Sequence, residues 1–209
     1  MASFEYIRVH PERPQIRQVR HAVEVLKQGG FAIVPTETTY AIMMLPKALQ
    51  AQDAVRALRG LDDKHLWSLV VSDLSQASLY VRIDNQAHRI LKRCLPGPYT
   101  FILPANASLP KRVFGKRKDV GIRMPSHEVC SMLLGELGEP LLATSMQFPD
   151  DDDIATDPEQ IAARVKHLHA ALMDAGWGGM MPTTVVDLCE DRFEVLRQGL
   201  GNWPLESLS

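Results

Sequence analysis

The stretch QIRQVRHAVEVLKQGGFAIVPTETTY, from Gln15 to Tyr40, holds a helix signal, a stop, a strand signal and a polar turn in immediate succession. Ile16, Val19, Ala22, Val23 and Leu26 recur at helical spacings, which puts them on one face and predicts an amphipathic helix over residues 15–28. Gly29-Gly30 ends it, because glycine enters the left-handed conformation of a helix terminus at little cost. The run Phe31-Ala32-Ile33-Val34-Pro35 is apolar without alternation and reads as a buried strand. A helix followed at once by a buried strand points to an α/β sheet.

Outward from this stretch the alternation continues in looser form. Helices are expected over residues 46–58, 85–94, 126–137 and 158–172, and strands over 67–71, 99–104, 120–124, 141–145, 184–188 and 193–197. No repeat and no linker separates two cores, so the expectation is one α/β domain over residues 14–200, a twisted mixed sheet covered by helices. Residues 148–157 form the one low-complexity stretch, and Asp157 is placed to cap a helix opening at Pro158. Asp150, Asp151, Asp152 and Asp153 read as a solvated excursion, with a metal site as the alternative.

Composition narrows the classes. The 209 residues, 45% of them apolar, suffice for one globular core. Lys and Arg number 23 against 25 Asp and Glu, a formal net charge of −2, which argues against holding nucleic acid by bulk charge. Setting aside the four aspartates of 150–153 turns −2 into +2, so a basic face remains open. No uncharged apolar stretch approaches the ~18 residues of a membrane span. Glu5, Arg8, Glu12 and Arg13 leave no room for a secretory signal, and a cytoplasmic address is expected. Cys94, Cys130 and Cys189 are widely spaced, without a Cys-x-x-Cys pair, and read as reduced core residues. His167 and His169, two apart in an expected helix, point to different faces and read as solvated. Neither they nor the aspartates make a firm metal set, and none is assigned. The dinucleotide, P-loop, nucleophile-elbow and zinc-protease fingerprints are absent.

The chemistry concentrates at strand ends. Pro35-Thr36-Glu37-Thr38-Thr39-Tyr40, Pro96-Gly97-Pro98-Tyr99-Thr100, Gly121-Ile122-Arg123-Met124-Pro125-Ser126, Ala143-Thr144-Ser145-Met146-Gln147 and Pro182-Thr183-Thr184-Val185-Val186-Asp187 each place hydroxyl or basic residues beside apolar ones. In open α/β sheets ligands bind at strand ends, and such donors suit carboxylate and phosphate oxygens. Taken alone, any one segment is explained more simply by ordinary turn chemistry. Arg123 and Arg197 are harder to dismiss, since each interrupts an apolar strand pattern; either an anionic ligand or an internal Asp or Glu partner would account for them.

Taken in order with Leu196-Arg197-Gln198-Gly199, these segments resemble the YrdC family over nearly the whole chain, most of all its stand-alone YciO branch. The resemblance implies a YrdC-like fold with a concave basic face. It also implies the chemistry of the threonylcarbamoyl-AMP synthases, which join L-threonine, bicarbonate and ATP, release pyrophosphate and serve threonylcarbamoylation of an adenosine in tRNA. By that resemblance Thr36, Arg123, Ser145 and Thr183 would hold threonine or another small carboxylate. Arg59, His65, Gln147 and Arg197 would meet ATP, with Mg²⁺ accompanying the nucleotide. No side chain is assigned a catalytic role, because the amine of threonine and the carbamate oxygen are themselves the nucleophiles.

The synthases carry Lys-x-Arg and Ser-x-Asn where this chain reads Arg59-Gly60-Leu61 and Ser145-Met146-Gln147. Leucine cannot contact a phosphate, and a charge-assisted hydrogen bond lost there removes ~1.5–3 kcal/mol, or roughly one to two orders of magnitude in rate. Weakened or altered synthase activity is the expectation. The alternative is an RNA-binding protein without this catalysis. Lys111, Arg112, Lys116, Arg117 and Lys118, followed by Arg123, are opposed only by Asp119, and such a run can neutralise phosphates of tRNA or double-stranded RNA. A solvated basic loop explains the run as well.

Overall fold

The computed structural model describes residues 3–189 and 193–203. In chain order the elements are β1 (Phe4–Arg8), α1 (Ile16–Lys27), β2 (Phe31–Pro35), β3 (Tyr40–Met44), α2 (Leu49–Arg59), β4 (Ser68–Val70), α3 (Leu74–Ser78), α4 (Asn85–Cys94) and β5 (Tyr99–Pro104). There follow α5 (Lys111–Phe114), β6 (Asp119–Arg123), α6 (Glu128–Leu137), β7 (Leu141–Ser145), α7 (Pro158–Val165), β8 (Ala170–Asp174), β9 (Thr184–Asp187) and β10 (Glu194–Arg197). These strands form one sheet in the order β1-β8-β2-β3-β7-β4-β6-β5-β9-β10. Pairing is parallel for β1–β8, β2–β8, β4–β6 and β5–β9 and antiparallel for β2–β3, β3–β7, β4–β7, β5–β6 and β9–β10. The mixed α/β sheet expected from the sequence is thus the architecture found.

Helix α1 follows its pattern: Val19, Ala22, Val23, Val25 and Leu26 are buried, and it lies against α6, which buries Val129, Cys130, Leu133, Leu134 and Leu137. Each such aliphatic side chain contributes ~1.5–3 kcal/mol on full burial. Gly29 ends α1 at φ 87°, and a Cβ on Gly30 would come within 2.5 Å of the His169 ring. Asp157 caps α7 as expected, accepting from the Glu159 amide at 2.9 Å, with Pro158 in the first turn.

Several expectations require correction. The helix read over 158–172 stops at Val165, and Ala170–Asp174 is instead strand β8, enclosed between β1 and β2. A short continuous apolar run fits a buried strand as well as a buried helix, so periodicity could not separate them. His167 and His169 consequently lie between α7 and β8, outside any helix. Strand β3 is absent from the sequence expectation, because all five of its residues are buried and it shows no alternation. Strand β1 and the short helices α3 and α5 had not been read as elements. Of the cysteines, Cys94 and Cys130 are buried but Cys189 is only half-buried. Among the described residues no helix is long and apolar enough to cross a membrane.

Candidate functional site

Six neighbouring strands, β7-β4-β6-β5-β9-β10, floor a cavity of about 620 Å³. Strand alternation decides what faces it. Ala143 and Ser145 of β7, Ser68 of β4, Gly121 and Arg123 of β6, Thr100 and Ile102 of β5, and Val185 of β9 all line it. Their neighbours Leu142, Ile122, Phe101 and Val186, pointing the other way, are fully buried in the core. Gly121 keeps the floor low, since a Cβ there would stand 3.0 Å from Thr100 Cγ2.

One pole of the cavity is built around Arg123 and Arg197. Arg123 is buried, and its guanidinium donates to Thr38 Oγ1 at 3.3 Å while its Nε has no partner. Burial depresses its pKa, Glu37 opposes that, and the charge of Arg197 adds to the depression. Among the described residues no carboxylate forms an ion pair with either arginine. Thr36 organises the turn beneath: its Oγ1 accepts from the amides of Thr38 and Thr39 and donates to the Thr39 carbonyl at 2.6 Å. Arg197 reaches the cavity through a β-bulge. Val195 pairs with Val186 but Arg197 with Val185, so Leu196 is the extra residue and Arg197 moves into register with the cavity-facing row. There its Nε and NH2 donate to the Thr183 carbonyl at 3.1 and 3.0 Å, and NH2 to Thr183 Oγ1 at 3.1 Å. Thr183 Oγ1 in turn meets Thr100 Oγ1 at 2.8 Å.

The other pole gathers Arg59, His65, Trp67, Arg117 and Gln147. Arg59, in the last turn of α2, donates to the Gln147 carbonyl at 2.5 Å. The His65 ring meets the Trp67 ring edge-on, centroids 4.8 Å apart. Burial lowers the His65 pKa and the charge of Arg59 lowers it further, with smaller contributions from Arg56 and Arg117. Asp62 opposes these effects, and the His65 Nε2 and the Trp67 Nε1 are buried without protein partners.

Of the residues the sequence singled out, Arg59, His65, Arg123, Ser145, Gln147, Thr183 and Arg197 all line this one cavity. Thr36 does not; it acts one step back, through Thr38. Arg197 and Thr183, expected at the nucleotide and threonine ends respectively, are in direct contact. Leu61 packs against the core instead of lining the cavity. Sequence reasoning missed Trp67, which stands first in the expected strand 67–71 and so looked like core, and which the structure places just before β4. It also missed Asp152, which lines the cavity from the acidic loop; its closeness in the chain to Gln147 was the available signal.

The family model for Sua5, YciO and YrdC proteins, described as "Telomere recombination", matches residues 24–199. The chain is similar to Escherichia coli YciO, 38% identical with 97% of this chain and 98% of that one covered, and to its crystal structure with a TM-score of 0.86. It is 28% identical to the threonylcarbamoyl-AMP synthase of Halorhodospira halophila, covering 76% of this chain and 81% of the relative. The P. abyssi Sua5 structure complexed with L-threonine shares the fold at 24% identity and a TM-score of 0.79, covering 94% of this chain and 57% of that one. The chain belongs to the Sua5/YciO/YrdC family.

Proposed function

We propose that the cavity binds ATP together with L-threonine or another small carboxylate and, with bicarbonate, forms a carbamoyl-adenylate of the kind used in tRNA modification. The observation that carries this reading is one cavity with two arginine poles in which, among the described residues, no carboxylate forms an ion pair with Arg123 or Arg197. A planar guanidinium presents paired donors to carboxylate or phosphate oxygens. The threonine amine takes up bicarbonate with loss of water, the resulting carbamate oxygen attacks the α-phosphorus, and pyrophosphate leaves. Arg123 and Thr183 would orient the amino acid, and Arg197, already against Thr183, would face the point where carbamate and α-phosphate meet. Positioning and charge neutralisation provide the acceleration, so no protein nucleophile is needed. The threonylcarbamoyl-AMP synthase among the relatives and the L-threonine bound to Sua5 support the substrate class.

Mg²⁺ fits as the companion of the nucleotide. Among the described residues no cluster of three or more His, Cys, Asp or Glu forms a cage, while Asp119 and Asp152 line the cavity and suit an ion held mainly by phosphate oxygens. When bound it would neutralise charge on the leaving pyrophosphate.

The test is pyrophosphate release with ATP, bicarbonate and a panel of amino acids. Threonine-dependent release is expected, roughly one to two orders of magnitude below a synthase bearing arginine at the Leu61 position. Calorimetry showing no binding at millimolar ATP would sink the reading.

A second reading, RNA docking, is favoured by Lys111, Arg112, Lys116 and Lys118, which are exposed beside the cavity wall formed by Val113 and Phe114. Replacing Lys111, Lys116 and Lys118 by alanine is expected to flatten the log–log salt slope of double-stranded RNA binding by about 3. An unchanged slope would remove this run from any RNA interface.

A further inference from the structure

The basic run 111–118 divides in two. Arg117 lines the cavity, whereas Lys111, Arg112, Lys116 and Lys118 do not. The division follows from local structure. Phe114, 4% exposed, anchors the end of α5 in the core, and Gly115 at φ 62° reverses the chain. The Arg117 amide closes this turn on the Phe114 carbonyl at 3.3 Å. The guanidinium then crosses to the loop after α2, where NH2 donates to the Lys64 carbonyl at 2.9 Å. That loop carries His65, and the charges of Arg59 and Arg117 both lower the pKa of its imidazole.

The other cations nearby are already engaged. Arg56 does not line the cavity; it pairs with Asp53 at 3.2 Å and lies over the Trp67 ring at 5.5 Å. Arg59 has one amino group on the Gln147 carbonyl. Leu61 faces the core. A phosphate chain of three to four negative charges entering here would meet Arg59 and Arg117 as the lining cations. Arg117 has the donors to spare, since a guanidinium carries five N–H groups and the Lys64 carbonyl takes one.

We propose that Arg117 is a phosphate-chain ligand of this cavity, gripping the pyrophosphate portion of a nucleotide from the rim, and is not one more charge of an RNA-docking run. The proposal rests on the nucleotide reading above and adds to it a second lining cation beside Arg59.

The test is calorimetric titration of the full chain with ATP, AMP and inorganic pyrophosphate at one ionic strength, for wild type, Arg117→Ala and Lys116→Ala. Arg117→Ala is expected to weaken ATP and pyrophosphate about 10- to 100-fold and to leave AMP within about twofold. Lys116→Ala, outside the cavity, should leave all three within the same margin. Arg117→Gln, which keeps an amide donor for the Lys64 carbonyl, should show the Arg117→Ala losses even if the alanine variant disturbs the loop. An Arg117→Ala profile equal to that of Lys116→Ala overturns the proposal, as does an AMP loss as large as the ATP loss. Wild type that binds pyrophosphate through Arg117 but fails to bind ATP overturns the nucleotide reading and, with it, Arg117 as a ligand of a nucleotide, leaving it a ligand of free pyrophosphate. Wild type that binds neither overturns both.

Discussion

Arg123 is a cation buried in a strand with a threonine hydroxyl as its neighbour and no carboxylate in ion-pair contact. Leaving a buried charge poorly compensated costs stability that a bound anion returns. Arg123→Ala is expected to shift the melting temperature of the ligand-free protein little, relief of the buried cation being offset by loss of the Glu37 attraction, while weakening carboxylate binding by about 10- to 100-fold. A fall in melting temperature with unchanged affinity would assign it a purely structural role. Arg197, more exposed and already tied to Thr183, should lose roughly tenfold on change to alanine, read by the same titration. Both arginines were legible because guanidinium groups interrupt apolar strand patterns. Trp67 was not, since a tryptophan that opens an expected strand has the same sequence signature whether or not its N–H borders a cavity. The segment Pro35 to Tyr40 marked the right turn, but the Thr36 hydroxyl is occupied within that turn, a use that composition cannot distinguish from ligand binding.

At the scale of elements, the bulge at Leu196 explains how an edge strand contributes to a site. Without the extra residue, Leu196 would occupy the Arg197 register beside Val185. Gly199 secures this arrangement: its amide donates to Thr184 Oγ1 at 2.9 Å, and a Cβ there would stand 2.2 Å from the Pro182 carbonyl and 2.5 Å from that of Thr183. Both contacts are backbone, so Gly199→Ala must push β10 off the 182–184 segment. The expected cost is about 1–3 kcal/mol in stability, accompanied by weaker ligand binding as Arg197 leaves Thr183. Chemical denaturation together with titration checks both, and an intact affinity would show that the strand can move without its arginine. Helices α1 and α6 were readable because an amphipathic face and a glycine stop coincide in each. The pattern failed at β3 and β8, which are buried on both faces and therefore show no period. The bulge itself left no trace in the sequence, because register depends on the partner strand.

For the molecule as a whole, the net charge of −2 conceals a separation. Arg59, Arg117, Arg123 and Arg197 converge on one cavity, opposed there by Asp119 and Asp152. Stability should also respond to pH through histidine. His65 and His127 both have pKa values lowered, in each case first by burial, and His127 Nδ1 accepts the Val129 amide at the start of α6. The unfolded imidazoles take up protons near pH 6.5, whereas the folded ones do so only at lower pH. The contribution is thus fully present above about pH 6.5 and falls as the solution is acidified toward the lower folded values. Melting temperatures between about pH 8 and pH 5 should decline for wild type and decline less for the His65→Gln/His127→Gln double variant; equal slopes would contradict this. The edge position of β10 has a further consequence. Arg197 is carried by a strand paired on one side only, while Arg123 sits on β6, paired on both sides, and Arg59 on helix α2. A ligand that spans both poles would fasten the outermost strand to the centre of the sheet, so amide hydrogen exchange along residues 194–197 should slow in proportion to occupancy, making the rim of the sheet a gauge of how full the cavity is.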